Sequence, residues 1–313
     1  MPAIITHHIF GEDASVLLPD DLLGASSEDL LAFLLGNLGV DPLRSRFTCS
    51  PSTARTCKFM AKRFYADHVC DALFVLRDTV SHLPESDKTI GRSFALGILA
   101  HYLLSSLCRP LIHALENALV ECDPTLADYR PEICDIIEAE IDSWILFQKK
   151  QQTVVNAPST LALTTTPSIN RVAGSMLSQV AWQVFGIELP ATEYARYVSD
   201  VRMIYGLIDP PATKFTKLLA KADKARGSYT SVRAMAHPII EDDDCRLANL
   251  EHHFWRDPVT HERSCASFAD LYHDALIAWP SLAKAYMEGD RDRLEIMIAG
   301  INYDGVPIEV YPF

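Results

Sequence analysis

Basic residues, paired cysteines and strand-like alternation are all scarce in this sequence of 313 residues. Lysine and arginine number 28 against 41 aspartates and glutamates, which gives a net charge of −13. Nucleic acids and anionic lipid surfaces bind basic faces, so this balance argues against both as partners. The eight cysteines form no C-x-x-C pair, and several lie in apolar helical contexts. We therefore expect reduced thiols and no disulfides.

Targeting and membrane-spanning segments are lacking as well. The first eight residues show no basic stretch followed by an apolar one, so we expect no signal peptide and a cytoplasmic protein. The longest apolar run, 93–108, is interrupted by His101, Ser105 and Ser106, which predicts a core helix rather than a transmembrane segment. The nucleotide-binding motifs and the G-x-S-x-G motif of serine hydrolases are missing, which leaves both functions without support.

Apolar residues recur at helical spacing along most of the chain, which predicts an all-α fold. The predicted helices cover 28–37, 56–82, 90–109, 110–122, 130–150, 170–186, 190–207, 213–235, 265–288 and 290–299. Prolines stand at several of these boundaries, where a missing N–H costs least, and Pro110 separates two of the predicted helices. The best strand candidate is the tail segment 306–310.

The stretch 151–170 is rich in Thr, Ser, Gln and Pro, which indicates a linker or a long surface loop. It divides the chain near its midpoint. We therefore predict a helical domain over 1–150 and a helical C-terminal region over 171–313 that packs on the first.

The helix around His101 carries one polar stripe on an otherwise apolar surface. His101, Ser105 and Arg109 recur every four residues, so they lie on one helical face. At that spacing neighbouring side chains are close enough to share a metal ion or a phosphate. A core histidine that is hydrogen-bonded to a backbone carbonyl is the alternative that this segment leaves open.

Four segments, taken in order along the chain, resemble the bacterial zinc-dependent phospholipase C family. They are the opening Thr6-His7 pair, the turn from Leu38 to Pro42, the His101 helix and the segment from Cys134 to Asp142. The third is similar to a family pattern of His, three residues, Asp, three residues and His-Pro. The fourth is similar to a pattern of His, three residues, Glu, three residues and Asp.

This resemblance implies a multi-helix phospholipase C-like bundle with a helical C-terminal extension. It also implies phosphodiester hydrolysis by a zinc-held hydroxide, with metal charge on the phosphoryl oxygens. Four residues match ligand positions of the family: His7, Asp41, His101 and Glu138. Asp41 is the candidate catalytic residue, since it would hold metal or act as a general base.

Four further ligand positions of the family are altered here, at Tyr65, Ser105, Arg109 and Cys134. Serine is a poor zinc ligand, and the permanent charge of arginine repels a dication. We therefore expect no zinc or one zinc ion rather than three. Cys134 is the only chemically sensible replacement, because a thiolate binds zinc. His68, three residues after Tyr65, is a second candidate for the ligand position at Tyr65.

Three functions stay open at this point. The first is a phospholipase C-like protein with a depleted metal site, weakly active or non-catalytic, whose polar pocket takes a phosphoester or a lipid head group. In that case Arg109 replaces the metal charge and pairs with Glu138 or Asp41. The second is an active metal-dependent phosphodiesterase or phospholipase with an altered metal set. The third is a helical binding or interaction module.

Overall fold

Helices make up most of this molecule. A computed structural model describes residues 3–44, 48–209, 213–226, 230–298 and 300–308. Helices account for 72% of the residues and strands for 2%, which confirms the all-α prediction. The predicted strand over 306–310 lies partly outside the described residues. Within the described part, Pro307 forms an isolated antiparallel bridge with Ile301.

Thirteen α-helices follow one another in the described part of the chain. The first seven are α1 (Ile4–Ser15), α2 (Asp20–Leu23), α3 (Ser27–Gly36), α4 (Pro51–Ala66), α5 (Val69–Thr79), α6 (Lys88–Cys122) and α7 (Arg130–Lys150). The other six are α8 (Pro167–Phe185), α9 (Thr192–Ile208), α10 (Lys214–Arg226), α11 (Ser231–Ala234), α12 (Phe268–Glu288) and α13 (Arg291–Met297). Short 3-10 segments cover Asp41–Arg44, Val80–His82, Glu85–Asp87, Pro124–Tyr129, Ser159–Leu163 and Arg246–Ala248. One small antiparallel hairpin pairs β1 (Trp255–Arg256) with β2 (Arg263–Ser264).

Several helices begin at side chains that cap their first turn. Ser26 accepts a hydrogen bond from the Asp29 amide at the start of α3, and the Asp29 carboxylate accepts one in return from the Ser26 amide. Ser50 and Thr166 cap α4 and α8, and each is followed directly by a proline. A capping hydroxyl satisfies an amide that the helix leaves unpaired, and proline lacks that amide altogether. Local sequence chemistry thus sets these helix starts.

The predicted break at Pro110 is absent, because α6 runs through it as one helix from Lys88 to Cys122. An interior proline costs a helix about 3 kcal/mol and one backbone hydrogen bond. Residues on both sides of Pro110 are buried, among them Leu104 and Leu111. Their burial outweighs the local penalty, at roughly 1.5–3 kcal/mol for each large apolar side chain. The two predicted helices, 90–109 and 110–122, are therefore one.

Helix α1 is not among the predicted helices, and its sequence explains why. Ile4, His7, Ile9 and Phe10 are all buried, although they point in different directions around the helix axis. A helix that is buried on most sides shows no apolar stripe, and the sequence pattern depends on that stripe. Because α1 is buried on most sides, the spacing of its apolar residues does not predict it.

The chain folds into two compact units, each built from three separate stretches. Unit 1 contains Met1–Ile9, Cys108–Leu163 and Arg202–Tyr272. Unit 2 contains Phe10–Leu107, Thr164–Val201 and His273–Phe313. The domain boundaries predicted from the sequence, at 150 and 170, divide the chain into consecutive stretches, and this division stays a prediction. Within 151–170 the structure places the 3-10 segment Ser159–Leu163 and buries Leu163 fully.

In unit 2, helices α3 and α6 approach each other closely at two glycines. A Cβ atom on Gly36 would lie 2.4 Å from the Phe94 carbonyl oxygen, and one on Gly97 would lie 2.2 Å from the Phe33 carbonyl oxygen. No other residue fits at such a distance, so both positions require glycine. The contact brings the end of α3 against the α6 backbone one turn before His101.

Within the described residues, one helical segment, Glu85–Cys122, is long and apolar enough to cross a membrane, with a mean hydropathy of 1.4 in its most apolar window. Of that window, 83% is buried inside the protein. The core helix of a soluble protein meets the same criteria of length and composition, so the finding carries little weight by itself.

Candidate functional site

His101 lies in unit 2 with its ring fully enclosed, and the close approach of α3 fixes its orientation. The Nδ1 atom donates a hydrogen bond to the backbone carbonyl of Asn37, at 2.8 Å. Asn37 directly follows α3, where carbonyl groups lack helical partners. A carbonyl can only accept, so Nδ1 carries a proton, and in the neutral form of the ring the lone pair is on Nε2.

Three side chains from three different segments surround the Nε2 atom of His101. The hydroxyl of Tyr65, near the end of α4, is 3.2 Å away, and that of Ser105 is 3.5 Å away, one turn further along α6. The carboxylate of Asp41, at the start of a 3-10 turn, is 3.5 Å away. All four side chains are buried. Four of the residues predicted from the sequence therefore form one group, which we call the His101 cluster: Asp41, Tyr65, His101 and Ser105.

The His101 cluster is closely packed. Gly39 adopts a positive φ of 61°, and a Cβ atom there would lie 2.7 Å from the His101 ring and 2.9 Å from the Tyr65 hydroxyl oxygen. The ring of Tyr303 lies 5.7 Å from that of His101 and 4.6 Å from that of Tyr65. Backbone and aromatic rings thus fill the space beside Nε2.

The donor set of the His101 cluster does not fit a zinc site. Zinc takes four ligands from imidazole, thiolate and carboxylate groups, and the cluster offers two of them, His101 and Asp41. Tyr65 and Ser105 contribute neutral hydroxyls. Among the residues that the structure describes, no group of three or more His, Cys, Asp or Glu side chains is placed to hold a metal ion.

The remaining predicted residues lie in unit 1. Arg109 forms an ion pair with Glu138, at 3.9 Å between Nη2 and Oε1, and both side chains are largely buried. Burial raises the pKa of the Cys134 thiol well above its usual range; the Glu138 charge acts in the same direction, and Arg109 opposes it. Cys134 is therefore a thiol at neutral pH. His7 is buried in α1. The meeting of all four predicted ligands at one site stays a prediction.

His68 and Tyr65, the two candidates for one ligand position, have different surroundings. Tyr65 faces the His101 ring, as described above. His68 lies at the helix junction before α5, half exposed, with its Nδ1 atom 3.1 Å from the Asp71 carboxylate. The residue at the His101 cluster is therefore Tyr65.

Unit 1 contains a fully enclosed histidine, His237, which the sequence analysis missed. His237 lies between two carboxylates, with Nδ1 2.6 Å from Asp209 and Nε2 3.0 Å from Asp142. All three side chains are fully enclosed. Burial opposes charge on the ring, but the two carboxylates outweigh it and raise the pKa of His237 to about 10. At neutral pH the ring is an imidazolium that donates to both aspartates.

Each carboxylate in this group has further donors, so its charge is well satisfied. The backbone amides of Ile5 and Thr6, in the first turn of α1, donate to Asp142 at 2.9 Å. Asp209 accepts from the Ser159 hydroxyl and from the His237 amide. We call Asp142, Ser159, Asp209 and His237 the His237 network. It joins α1, α7, the end of α9, the 3-10 segment Ser159–Leu163 and the loop after α11.

Sequence spacing gives little indication of the His237 network. Asp142 belongs to one of the segments that resemble phospholipase C, but its partners follow 67 and 95 residues later, as the numbering shows. Hydrogen-bonded groups this far apart leave no helical or motif spacing between them. Only the tertiary fold brings them together.

No protein-family model, no curated protein and no solved structure matches this chain. The resemblance to phospholipase C therefore depends on the four sequence segments alone.

Proposed function

We propose that this chain is a phospholipase C-like helical protein with a depleted metal centre, non-catalytic or only weakly active, that binds a phosphoester or lipid head group. The arrangement around His101 is the observation that carries the proposal. A zinc-binding imidazole offers an unprotonated nitrogen to an open coordination position. Here that nitrogen faces the hydroxyls of Tyr65 and Ser105 and the carboxylate of Asp41, and the Gly39 backbone lies close beside it.

The pair of Arg109 and Glu138 gives independent support. By the resemblance, Glu138 matches a metal-ligand position of the family, and Arg109 matches a position at which the family has a histidine. The guanidinium compensates the Glu138 charge from within the protein, as a metal ion would. A guanidinium also binds oxyanions through parallel N–H groups, which is the basis for proposing a phosphoester or lipid head group as ligand.

Zinc content is the first test. The full chain, purified without chelator, should contain no more than one zinc ion per molecule by elemental analysis. A variant that restores the family residues, with Tyr65→His, Ser105→Asp, Arg109→His and Cys134→His, should contain more zinc. Two or three zinc ions in the unmodified chain would contradict the proposal.

Activity is the second test. The unmodified chain should hydrolyse phosphatidylcholine and aryl phosphodiesters no faster than His101→Ala, with or without added zinc, because no second or third ion stabilises the phosphoryl charge. Asp41→Asn serves as a second variant if His101→Ala does not fold. Zinc-dependent turnover that either variant abolishes would favour an active phosphodiesterase instead.

A further inference from the structure

A cleft of about 310 Å³ opens in unit 2, beside the end of α5, the first turns of α6 and the end of α12. Its polar lining includes Arg77, Ser81 and Arg92, and its apolar lining includes Tyr286 and Met287. Small-molecule sites in proteins begin at about this volume and combine apolar walls with a few polar groups. None of these residues belongs to the His101 cluster.

Arg92 is the unusual residue of this cleft. Its Nε atom is enclosed, and none of the residues that the structure describes accepts a hydrogen bond from it. A guanidinium has five donors and no acceptor, and enclosing one of them without a partner is unfavourable. No described residue forms an ion pair with Arg92, and its partly exposed side chain lines the cleft, so the guanidinium is available to a ligand that accepts hydrogen bonds.

Arg77, the second arginine of the cleft, is held in place. Its Nη1 atom donates to the neighbouring Asp78 carboxylate at 2.7 Å. Gly289, at a φ of 74°, approaches so closely that a Cβ atom there would lie 2.3 Å from Nη2. The guanidinium is therefore fixed between a carboxylate and the backbone. Fixed donors lose little conformational freedom when a ligand binds.

The charges of the cleft favour an anion. Arg77 and Arg92 contribute two positive charges and Asp78 one negative charge, although the chain as a whole carries −13. Guanidinium groups match the planar, paired oxygens of carboxylates and phosphates. We propose that this cleft binds the oxyanion of a small organic molecule, with Arg92 and Arg77 on the phosphate or carboxylate and Met287 against its apolar part.

Binding of phenyl phosphate, benzoate and inorganic phosphate to the full-length chain, measured by calorimetry, tests the proposal. Phenol serves as the uncharged control. We expect saturable binding of the two organic anions, with inorganic phosphate weaker and phenol weakest. Whichever of phenyl phosphate and benzoate binds more tightly shows whether the cleft prefers a phosphate or a carboxylate. Absence of saturable binding by all three anions at millimolar concentration would overturn the proposal.

Substitutions locate the site. Arg92→Met should lower the affinity for the more tightly bound anion at least tenfold, since one charged hydrogen-bonding pair is lost. Arg256→Met, on an exposed strand, is the matched control and should leave the affinity unchanged. Unchanged affinity in Arg92→Met contradicts the proposal. A loss in Arg109→Met instead assigns the anion to the site of the proposed function, so the two proposals are distinguishable.

Thermal stability gives a readout that does not need ligand. Arg92→Met removes an enclosed donor that has no protein partner, so the melting temperature of the ligand-free chain should stay the same or rise. The increase in melting temperature that the anion produces in the unmodified chain should disappear. A lower melting temperature with an intact response to the anion would show that Arg92 is purely structural.

Discussion

Two buried histidines, one in each compact unit, are enclosed to the same extent and yet have opposite electrostatic surroundings. His101 donates to a backbone carbonyl and has neutral hydroxyls within reach of its other nitrogen, with one carboxylate at 3.5 Å. His237 places each nitrogen against a carboxylate, at 2.6 and 3.0 Å. Burial alone therefore does not decide what a core histidine does. The charge of its hydrogen-bonding partners decides whether it serves as a polar group or as part of an ion network.

The comparison separates a positioned polar group from a structural ion network. In the His237 network the imidazolium neutralises part of the charge of Asp142 and Asp209, and these two aspartates tie down α1 and the end of α9. Removing the ring would leave two carboxylates together in an enclosed space. In the His101 cluster, removing the ring leaves a carbonyl, two hydroxyls and the single carboxylate of Asp41, which should cost less than leaving two carboxylates together.

The largest expected effect follows from replacing each histidine with glutamine. His237→Gln should lower the free energy of unfolding by about 3–5 kcal/mol, as breaking a buried charge pair does. His101→Gln should lower it by about 1–3 kcal/mol, because the ring has one carboxylate beside it instead of two and its main hydrogen bond goes to a neutral carbonyl. Urea unfolding followed by circular dichroism measures both. Equal losses in the two variants would remove the distinction drawn here.

The pH dependence of stability sharpens the same comparison. The pKa of His237 rises from 6.5 to about 10 on folding, so the folded state holds a proton that the unfolded chain releases between these values. The resulting stabilisation is complete below pH 6.5 and is lost as the pH rises through about 10.

Urea midpoints measured from pH 6 to 10 should therefore fall steadily in the unmodified chain, and much less in His237→Gln. The control is His101→Gln, which keeps the His237 network and should follow the unmodified chain. A parallel fall in His237→Gln would assign the effect to other groups.

The sequence predicted the helices well wherever an apolar stripe or a local cap defines them. Helix α7 was predicted over 130–150, and the structure has it from Arg130 to Lys150. Helix α1 escaped prediction because it is buried on most sides, and α6 was divided at Pro110 because a local penalty was given more weight than the burial around it. The spacing of apolar residues detects a helix by its apolar face, so it fails for a helix that is buried on most sides.

The sites divide in the same way. The spacing of His101 and Ser105 predicted that they share a face, and their side chains lie 3.5 Å apart. Asp41 and Tyr65 were added by the resemblance, and both lie at the ring. His237 was not identified, because its partners are distant in sequence. Local spacing predicts pairs on one helix, whereas networks between elements require the fold.

Close packing beside His101 predicts an intermediate effect. Gly39→Ala should lower the free energy of unfolding by about 1–3 kcal/mol more than Gly186→Ala, since the new methyl group overlaps the His101 ring and the Tyr65 hydroxyl. Gly186 is the matched control, because its φ of 63° imposes a similar backbone strain while nothing lies within 4 Å of an added Cβ. Thermal or urea unfolding measures the difference. Similar losses in both variants would mean that the space beside Nε2 is open, as a metal or ligand site requires.

The smallest effect distinguishes two tyrosines in contact with the same ring. The Tyr65 hydroxyl lies 3.2 Å from Nε2 of His101, so Tyr65→Phe should cost about 1 kcal/mol of unfolding free energy, as for a buried neutral hydrogen bond. The Tyr303 hydroxyl is enclosed, and no described group lies within hydrogen-bonding distance of it, so Tyr303→Phe should be neutral or stabilising. The two rings lie only 4.6 Å apart, which makes each variant the control for the other. A loss confined to Tyr65→Phe shows that the hydroxyl satisfies the Nε2 lone pair. If Tyr65→Phe is neutral as well, the Tyr65 hydroxyl does not satisfy that lone pair, which is then available to a ligand. The Nε2 atom of His101 would then differ further from the nitrogens of His237, which are both held by carboxylates.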